Sequence, residues 1–276
     1  MAGSFMTESP QTPESLQTPE SLQTPTSLQT NILAVSHGFF TRLGGVSEGA
    51  FASLNCSLSS PDDRAAVMEN RTRVARVIGV PPACLMGLTQ VHGSAVAVVT
   101  DPWPAGAGPK ADAMVTGRAG IALGIITADC APVLFADTEA GVIGAAHAGW
   151  RGALSGVLEA TVAAMVRLGA VPARISAAVG PCIGQASYEV GADLRSAVVG
   201  RAAEDERFFM PGQREGRWQF DLAGYCESRL RDAGLHEIDV TGADTLAEPA
   251  RFFSHRRRTL AGEGPIGHQI SVIARV

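Results

Sequence analysis

Beyond residue 31, apolar positions recur with two periods that alternate along the chain. Ser60-Pro61-Asp62-Asp63 sets a hydroxyl cap, a proline and two acids ahead of Val67, Val74, Val77 and Ile78. That order predicts a helix closed by Gly79. Apolar, β-rich runs at 95–100, 121–127, 133–136 and 142–146 predict strands. Leu154, Val157, Leu158, Thr161, Met165 and Leu168 follow helical spacing, which predicts a helix over 153–168 ended by Gly169. A strand is predicted over 175–179. A helix capped by Asp221 should run through Leu222, Tyr225 and Leu230 to Gly234, and a last strand is expected over 270–274. No linker-like stretch interrupts the pattern, so one α/β (α+β) domain with mixed sheets is expected over 31–276, its fold beginning near Ile32.

The first thirty residues are different material. QTPESL occurs at 11–16 and 17–22, and QTPTSL follows at 23–28. A proline in each unit removes a backbone donor, and the polar remainder has no face to bury, which predicts a disordered tail over 1–30. Glu8, Glu14 and Glu20 fall there without any Lys or Arg, so the formal charge of −5 shrinks to −2 for the rest. No strong field draws in nucleic acid. Lys110 is the only lysine. Five cysteines, odd in number and widely spaced, do not make a disulfide framework. With no basic leader and no apolar run long enough for a bilayer, the expectation is a cytoplasmic protein with reduced thiols and no membrane contact.

Three segments carry chemistry-bearing residues next to turn-forming ones: Gln90-Val91-His92-Gly93, Thr127 to Pro132 around Asp129-Cys130, and Ala146-His147-Ala148-Gly149-Trp150-Arg151-Gly152. Each adjoins a predicted strand, and strand ends are where α/β proteins assemble sites. His92, Cys130 and His147 make a set that suits catalytic zinc, which keeps three protein ligands and an open fourth position. Spacing alone favours a structural, hydrogen-bonded role for each of the three taken singly.

Taken together, the segments resemble the family first described as multicopper polyphenol oxidase (laccase) and now as purine nucleoside phosphorylase, known in bacteria as YfiH. The resemblance rests on HGFFTRLGGVS at 37–47, SLN at 53–55, QVHG at 90–93, ADCAP at 128–132 and HAGWRG at 147–152. It continues through GPCI at 180–183, YEV at 188–190 and FFSHR at 252–256. It implies a layered domain with mixed sheets flanked by helices, and metal ligands at His92, Cys130 and His147. It also implies a zinc-dependent enzyme that phosphorolyses adenosine, inosine, guanosine and 5′-methylthioadenosine and deaminates adenosine. Its partners would be purine nucleosides and phosphate, with the chain a monomer or homodimer.

Arg42 is the expected substrate contact for phosphate, and Arg151 is a second candidate at a helix start, because guanidinium matches phosphate oxygens. Asn55 is a candidate contact to ribose or base that can equally fix a turn. Asp129 is a candidate acid or base that can equally orient a neighbour. Trp150 reads as packing at the site's mouth, Cys182 as a small buried hydrophobe, and Arg256-Arg257-Arg258 as a solvated loop. The chain departs from the family at Asp244-Thr245, where Cys-Thr is usual, and at Gly267-His268, where Gly-Arg is expected.

Three other functions compete. A copper polyphenol oxidase needs a trinuclear cluster, and the chain has six histidines without any H-x-H pair. A metal-free amide hydrolase editing peptidoglycan precursors would use Cys130 as nucleophile and His147 as base. A zinc-holding interaction module is the non-enzymatic alternative.

Overall fold

Two β-sheets packed face to face carry the fold in the computed structural model, which describes residues 24–262 and 264–276. In chain order the elements are β1 (Ser27–Leu28), β2 (Ser36–Phe40), α1 (Arg64–Ile78), β3 (Leu85–Met86), β4 (Val96–Val98), β5 (Ala113–Thr116), β6 (Ala122–Thr127), β7 (Ala131–Asp137) and β8 (Val142–Ala148). They continue with α2 (Trp150–Leu154), α3 (Val157–Arg167), β9 (Ser176–Val179), β10 (Glu189–Val190), α4 (Ala192–Arg201), β11 (Phe209–Pro211), β12 (Trp218–Phe220), α5 (Leu222–Asp232), β13 (Glu237–Val240), α6 (His255–Ala261) and β14 (Gln269–Ala274). One sheet has the order β1-β2-β14-β6-β3, the second β13-β9-β7-β8-β5-β4, and a small third sheet β10-β12-β11.

Alternation along the strands sorts the core into layers. Phe39, Leu123, Ile125 and Ile273 of the first sheet meet Met114, Leu134, Ile143 and Ala145 of the second in one buried cluster. The intervening residues Phe40, Ala122, Val272 and Ala274 turn outward onto Val74, Ala75 and Ile78 of α1. On the far side, Val133, Phe135, Val142 and Ala146 pack with Val157, Leu158, Met165, Tyr225 and Leu230 from α3 and α5. The order is therefore helix, sheet, sheet, helices. Both faces of β7 and β8 are covered, so these strands read as nearly continuous apolar runs.

The expected layered domain with mixed sheets is present, and three local expectations change. The tail expected over 1–30 loses its last residues: β1 pairs antiparallel with β2, and Thr41 N donates to Thr26 O at 2.9 Å. An edge strand is held through its main chain, so the missing apolar pattern did not reveal it. The remainder of that tail, 1–23, lies outside the described residues. The helix expected over 153–168 is two helices, α2 and α3, broken at Gly156 with φ 87°. The helix expected from Ser60 begins at Arg64, with the Asp63 carboxylate accepting from Ala65 N. Among the described residues, no helix is long and apolar enough to cross a membrane.

Candidate metal centre

Antiparallel pairing of β7 with β8 brings the start of one strand beside the end of the other. Ala131 faces Ala148 and Pro132 faces His147. Cys130, one residue before β7, therefore lies next to His147 near the end of β8. On the other flank, β5 pairs with β8 so that Ala113 faces Ala146, and His147 N donates to Asp112 O at 2.7 Å. The loop leading to β4 completes the group with His92. The ligand atoms of His92, Cys130 and His147 all lie within 4.8 Å of one another. Cys130 Sγ is 3.9 Å from His92 Nε2, and the two imidazoles meet edge to face with centroids 4.7 Å apart. Burial increases from exposed His92 through half-buried Cys130 to buried His147.

One carboxylate fixes both histidines. Asp112, fully buried, accepts from His147 Nδ1 at 2.8 Å and from His92 N at 2.9 Å through Oδ1. Its Oδ2 accepts from Gly93 N at 2.7 Å and Val91 N at 3.1 Å. The bond at Nδ1 leaves Nε2 of His147 as the ligating atom. His92 has φ 59°, and the three amides on Asp112 hold that turn. Gly149 keeps the centre open: a Cβ there would lie 2.9 Å from Cys130 Sγ and 3.1 Å from His92 Cδ2.

The electrostatics favour a thiolate. Burial opposes ionisation of Cys130, but the charge on His147 and hydrogen bonds from His147 and His92 outweigh it and bring the thiol down to about 6. Burial likewise opposes the charge on His147, yet the Cys130 thiolate and the Asp112 carboxylate raise it to about 9. Asp112 is buried too, and its bonds from His147, Gly93 and Val91 keep it below the usual carboxylate range. Two imidazoles and a thiolate suit a borderline-soft divalent ion, whose binding displaces the histidine proton. Three protein donors would leave such an ion room for a further ligand.

That cleft has a volume of about 920 Å³, and Asp129, Cys130, His92 and His147 line it. Trp150, which is half-buried, lines it as well. Asp129, with φ 90°, accepts from Thr245 Oγ1 and from Arg256 N, both at 2.6 Å, so each of its oxygens is already engaged. Three other expected residues stand apart from the cleft. Arg42 donates to Ala52 O and Pro249 O and lies 4.4 Å over the Phe253 ring. Asn55 spends both amide hydrogens on Ser60 and Asp62, and its oxygen accepts from Ser57 N and His268 N. Arg151 is exposed and stacks over Trp150. The arginine run at 256–258 is no solvated loop: it lies in α6, where Arg256 bonds Glu189 O beside Tyr188, and Arg257 bonds three carbonyls. Cys182 is buried, and burial pushes its thiol far above the ordinary range.

Sequence reasoning missed Asp112, whose signal is a lone acid at the head of an apolar strand. It also missed Arg64, Arg71 and His255, all of which line the cleft, and gave no site role to His268. Burial, reinforced by His255 and Arg258, takes His268 down to about 4, and its Nδ1 has no partner.

Fold and centre together define a layered α/β protein with a two-histidine, one-cysteine cluster that could hold a metal ion at the edge of a sheet. The chain belongs to the family described as multi-copper polyphenol oxidoreductase laccase, whose model matches residues 36–276. It is 46% identical over 227 residues to a purine nucleoside phosphorylase of Deinococcus radiodurans, covering 82% of this chain and 85% of that one. A purine nucleoside phosphorylase of Streptomyces griseus is 43% identical over 229 residues, with 81% and 89% covered. Among solved structures, the hypothetical protein YfiH of Bacillus licheniformis superposes with TM-score 0.81 at 31% identity, covering 87% of this chain and 92% of its own.

Proposed function

We propose that the chain is a zinc-dependent purine nucleoside phosphorylase that also deaminates adenosine. Its substrates would be adenosine, inosine, guanosine and 5′-methylthioadenosine, converted to base plus ribose 1-phosphate or its methylthio analogue. The observation that carries this reading is the three-donor centre set into the wall of a cleft of about 920 Å³, large enough for a nucleoside beside an anion. The names of the two relatives at 46% and 43% identity support the same class.

His92, Cys130 and His147 would hold the ion, and zinc when bound supplies a Lewis acid at the cleft wall. Asp112 sets the orientation of both histidines. Asp129 holds Thr245 and the first turn of α6 against the cleft through its two hydrogen bonds. Trp150 and Tyr188 offer ring surface for a purine at the mouth, and Arg151 braces Trp150 from outside. In phosphorolysis an oxygen of phosphate bonds to C1′ as the C1′–N9 bond breaks, and the purine leaves with the electron pair and takes up a proton. Zinc is favoured over a multicopper centre by the donor inventory: among the described residues one group of His, Cys, Asp and Glu has metal-binding geometry, and His37 is tied to Thr30 and Val35.

The test is product analysis by mass spectrometry of adenosine incubated with zinc-loaded protein in phosphate buffer, beside Cys130→Ala. Adenine with ribose 1-phosphate, together with inosine, should form with the wild type and vanish in the variant. Unchanged adenosine at full zinc occupancy would overturn the proposal and favour amide hydrolysis of cell-wall precursors.

A further inference from the structure

The cleft has a second polar wall, which the metal centre does not use. Arg64 and Arg71 sit seven residues apart on α1, two turns along one face, and both line the cleft together with Ser57, Ser59 and Thr89. Arg71 is only 5% exposed. Its guanidinium donates to Cys56 O at 3.4 Å and Leu85 O at 3.1 Å and has no carboxylate partner among the described residues. Arg64, at the exposed end, reaches Leu58 O and Ala105 O, both at 3.4 Å. Glycines adjoin both guanidinium groups: a Cβ at Gly87 would stand 3.5 Å from Arg71 Nη2, and one at Gly106 would stand 3.5 Å from Arg64 Nη2.

A guanidinium keeps its proton, and burying it without a counter-charge is unfavourable. Carbonyl dipoles offset part of that cost and leave the charge uncompensated. Elsewhere in the fold the half-buried Arg229 meets Glu159 at 2.7 Å, and Arg174 meets the buried Asp137 at 3.2 Å. The acid that lines the cleft, Asp129, is committed to Thr245 and Arg256. The missing negative charge at Arg71 must therefore enter through the cleft.

We infer that Arg71, assisted by Arg64, is the binding site for the phosphoryl anion, and that under the function proposed above this anion is the phosphate that attacks C1′. This replaces Arg42 and Arg151, which are not among the residues that line the cleft. A free phosphate and the 5′-phosphate of a nucleotide share the same chemistry, and the reaction requires the former.

The test uses the zinc-loaded full chain and two readouts. Steady-state phosphorolysis with phosphate varied should show its KM raised about tenfold or more in Arg71→Gln, where a buried charged contact is lost. In Arg64→Ala, at the exposed end, the rise should be about two- to fivefold. Separately, inorganic phosphate should raise the melting temperature of the wild type, and the rise should shrink in both variants. Should Arg71→Gln fail to fold, Arg64→Ala and Arg71→Lys carry the same comparison. If the wild type performs no phosphorolysis but the phosphate-dependent rise still depends on both arginines, the anion site stands and the enzymatic reading fails. An unchanged KM for phosphate and an unchanged thermal rise would overturn the site. A rise with adenosine 5′-monophosphate and none with inorganic phosphate would overturn its assignment to the co-substrate.

Discussion

Replacing Asp112 with asparagine removes one acceptor oxygen from a buried carboxylate without changing its shape. The carboxylate takes four N–H groups, from His147 Nδ1 and His92 N on Oδ1 and from Gly93 N and Val91 N on Oδ2, all within 3.1 Å. Whichever way the new amide turns, its NH2 faces two donors. Two buried N–H groups lose their acceptor at about 1–3 kcal/mol each, so the loss is about 2–6 kcal/mol. If a third to a half of it, about 0.7–3 kcal/mol, falls on the orientation of His92 and His147, zinc affinity drops about 3- to 150-fold, a range that spans the usual scale for a residue behind a metal ligand.

Two assays read this. Competition with a chromophoric chelator gives the zinc dissociation constant, and a melting curve gives the stability loss. At this chain length each kcal/mol moves the midpoint by about 2–4 °C, so a fall of at least about 4 °C is expected. Asp112→Asn protein that melts with the wild type and holds zinc as tightly would refute the role assigned to this carboxylate.

Gly149→Ala should lower the zinc stoichiometry measured by elemental analysis, because its Cβ would intrude on Cys130 and His92. Gly200→Ala in α4, where a Cβ meets nothing within 4 Å, should bind zinc normally and melt at or above the wild type. Asp137, 1% exposed, accepts from Ala140 N, Val171 N and Arg174, and these bonds outweigh burial to hold its pKa below the ordinary value. A lowered folded pKa contributes stability above the unfolded value of about 3.9 and loses it as pH falls through the folded value. The gap in urea midpoint between wild type and Asp137→Asn should therefore be wide at pH 7 and close in acid, and a gap constant with pH would refute the linkage.

What was legible in the sequence follows from where side chains decide structure. Val133 to Ala136 and Val142 to Ala146 announced themselves because both faces of β7 and β8 are buried. By contrast, β10 and β12 are two and three residues long, too short to show a period, and β1 is an edge strand held by its main chain. The centre was legible as motifs because His92, Cys130 and His147 sit beside turn residues at strand ends. Arg71 was not, since within α1 it occupies a helical position among Val67, Val74 and Ile78 and looks like any helix arginine. Arg42 misled for the opposite reason: its motif is conspicuous, but the guanidinium closes on Ala52 and Pro249 in the fold itself.

The backbone shows what the centre demands of the chain. Among the described residues, His92 and Asp129 are the non-glycine positions with positive φ, at 59° and 90°. That region costs an L-residue about 1–2 kcal/mol and persists only where surroundings over-determine it. His92 is itself one of the three candidate metal donors, and Asp129 immediately precedes another, so each strained turn sets a donor residue at the cleft. Each is also fastened by a carboxylate: Asp112 receives three consecutive amides around His92, and Asp129 receives Thr245 and the start of α6. A carboxylate with both oxygens engaged is suited to holding a turn and poorly placed to exchange a proton. The two buried acids nearest the metal ligands therefore act as clamps on geometry. Thr245, next to the departure at Asp244, belongs to the same clamp, since its hydroxyl supplies one of the two bonds that fix Asp129 beside Cys130.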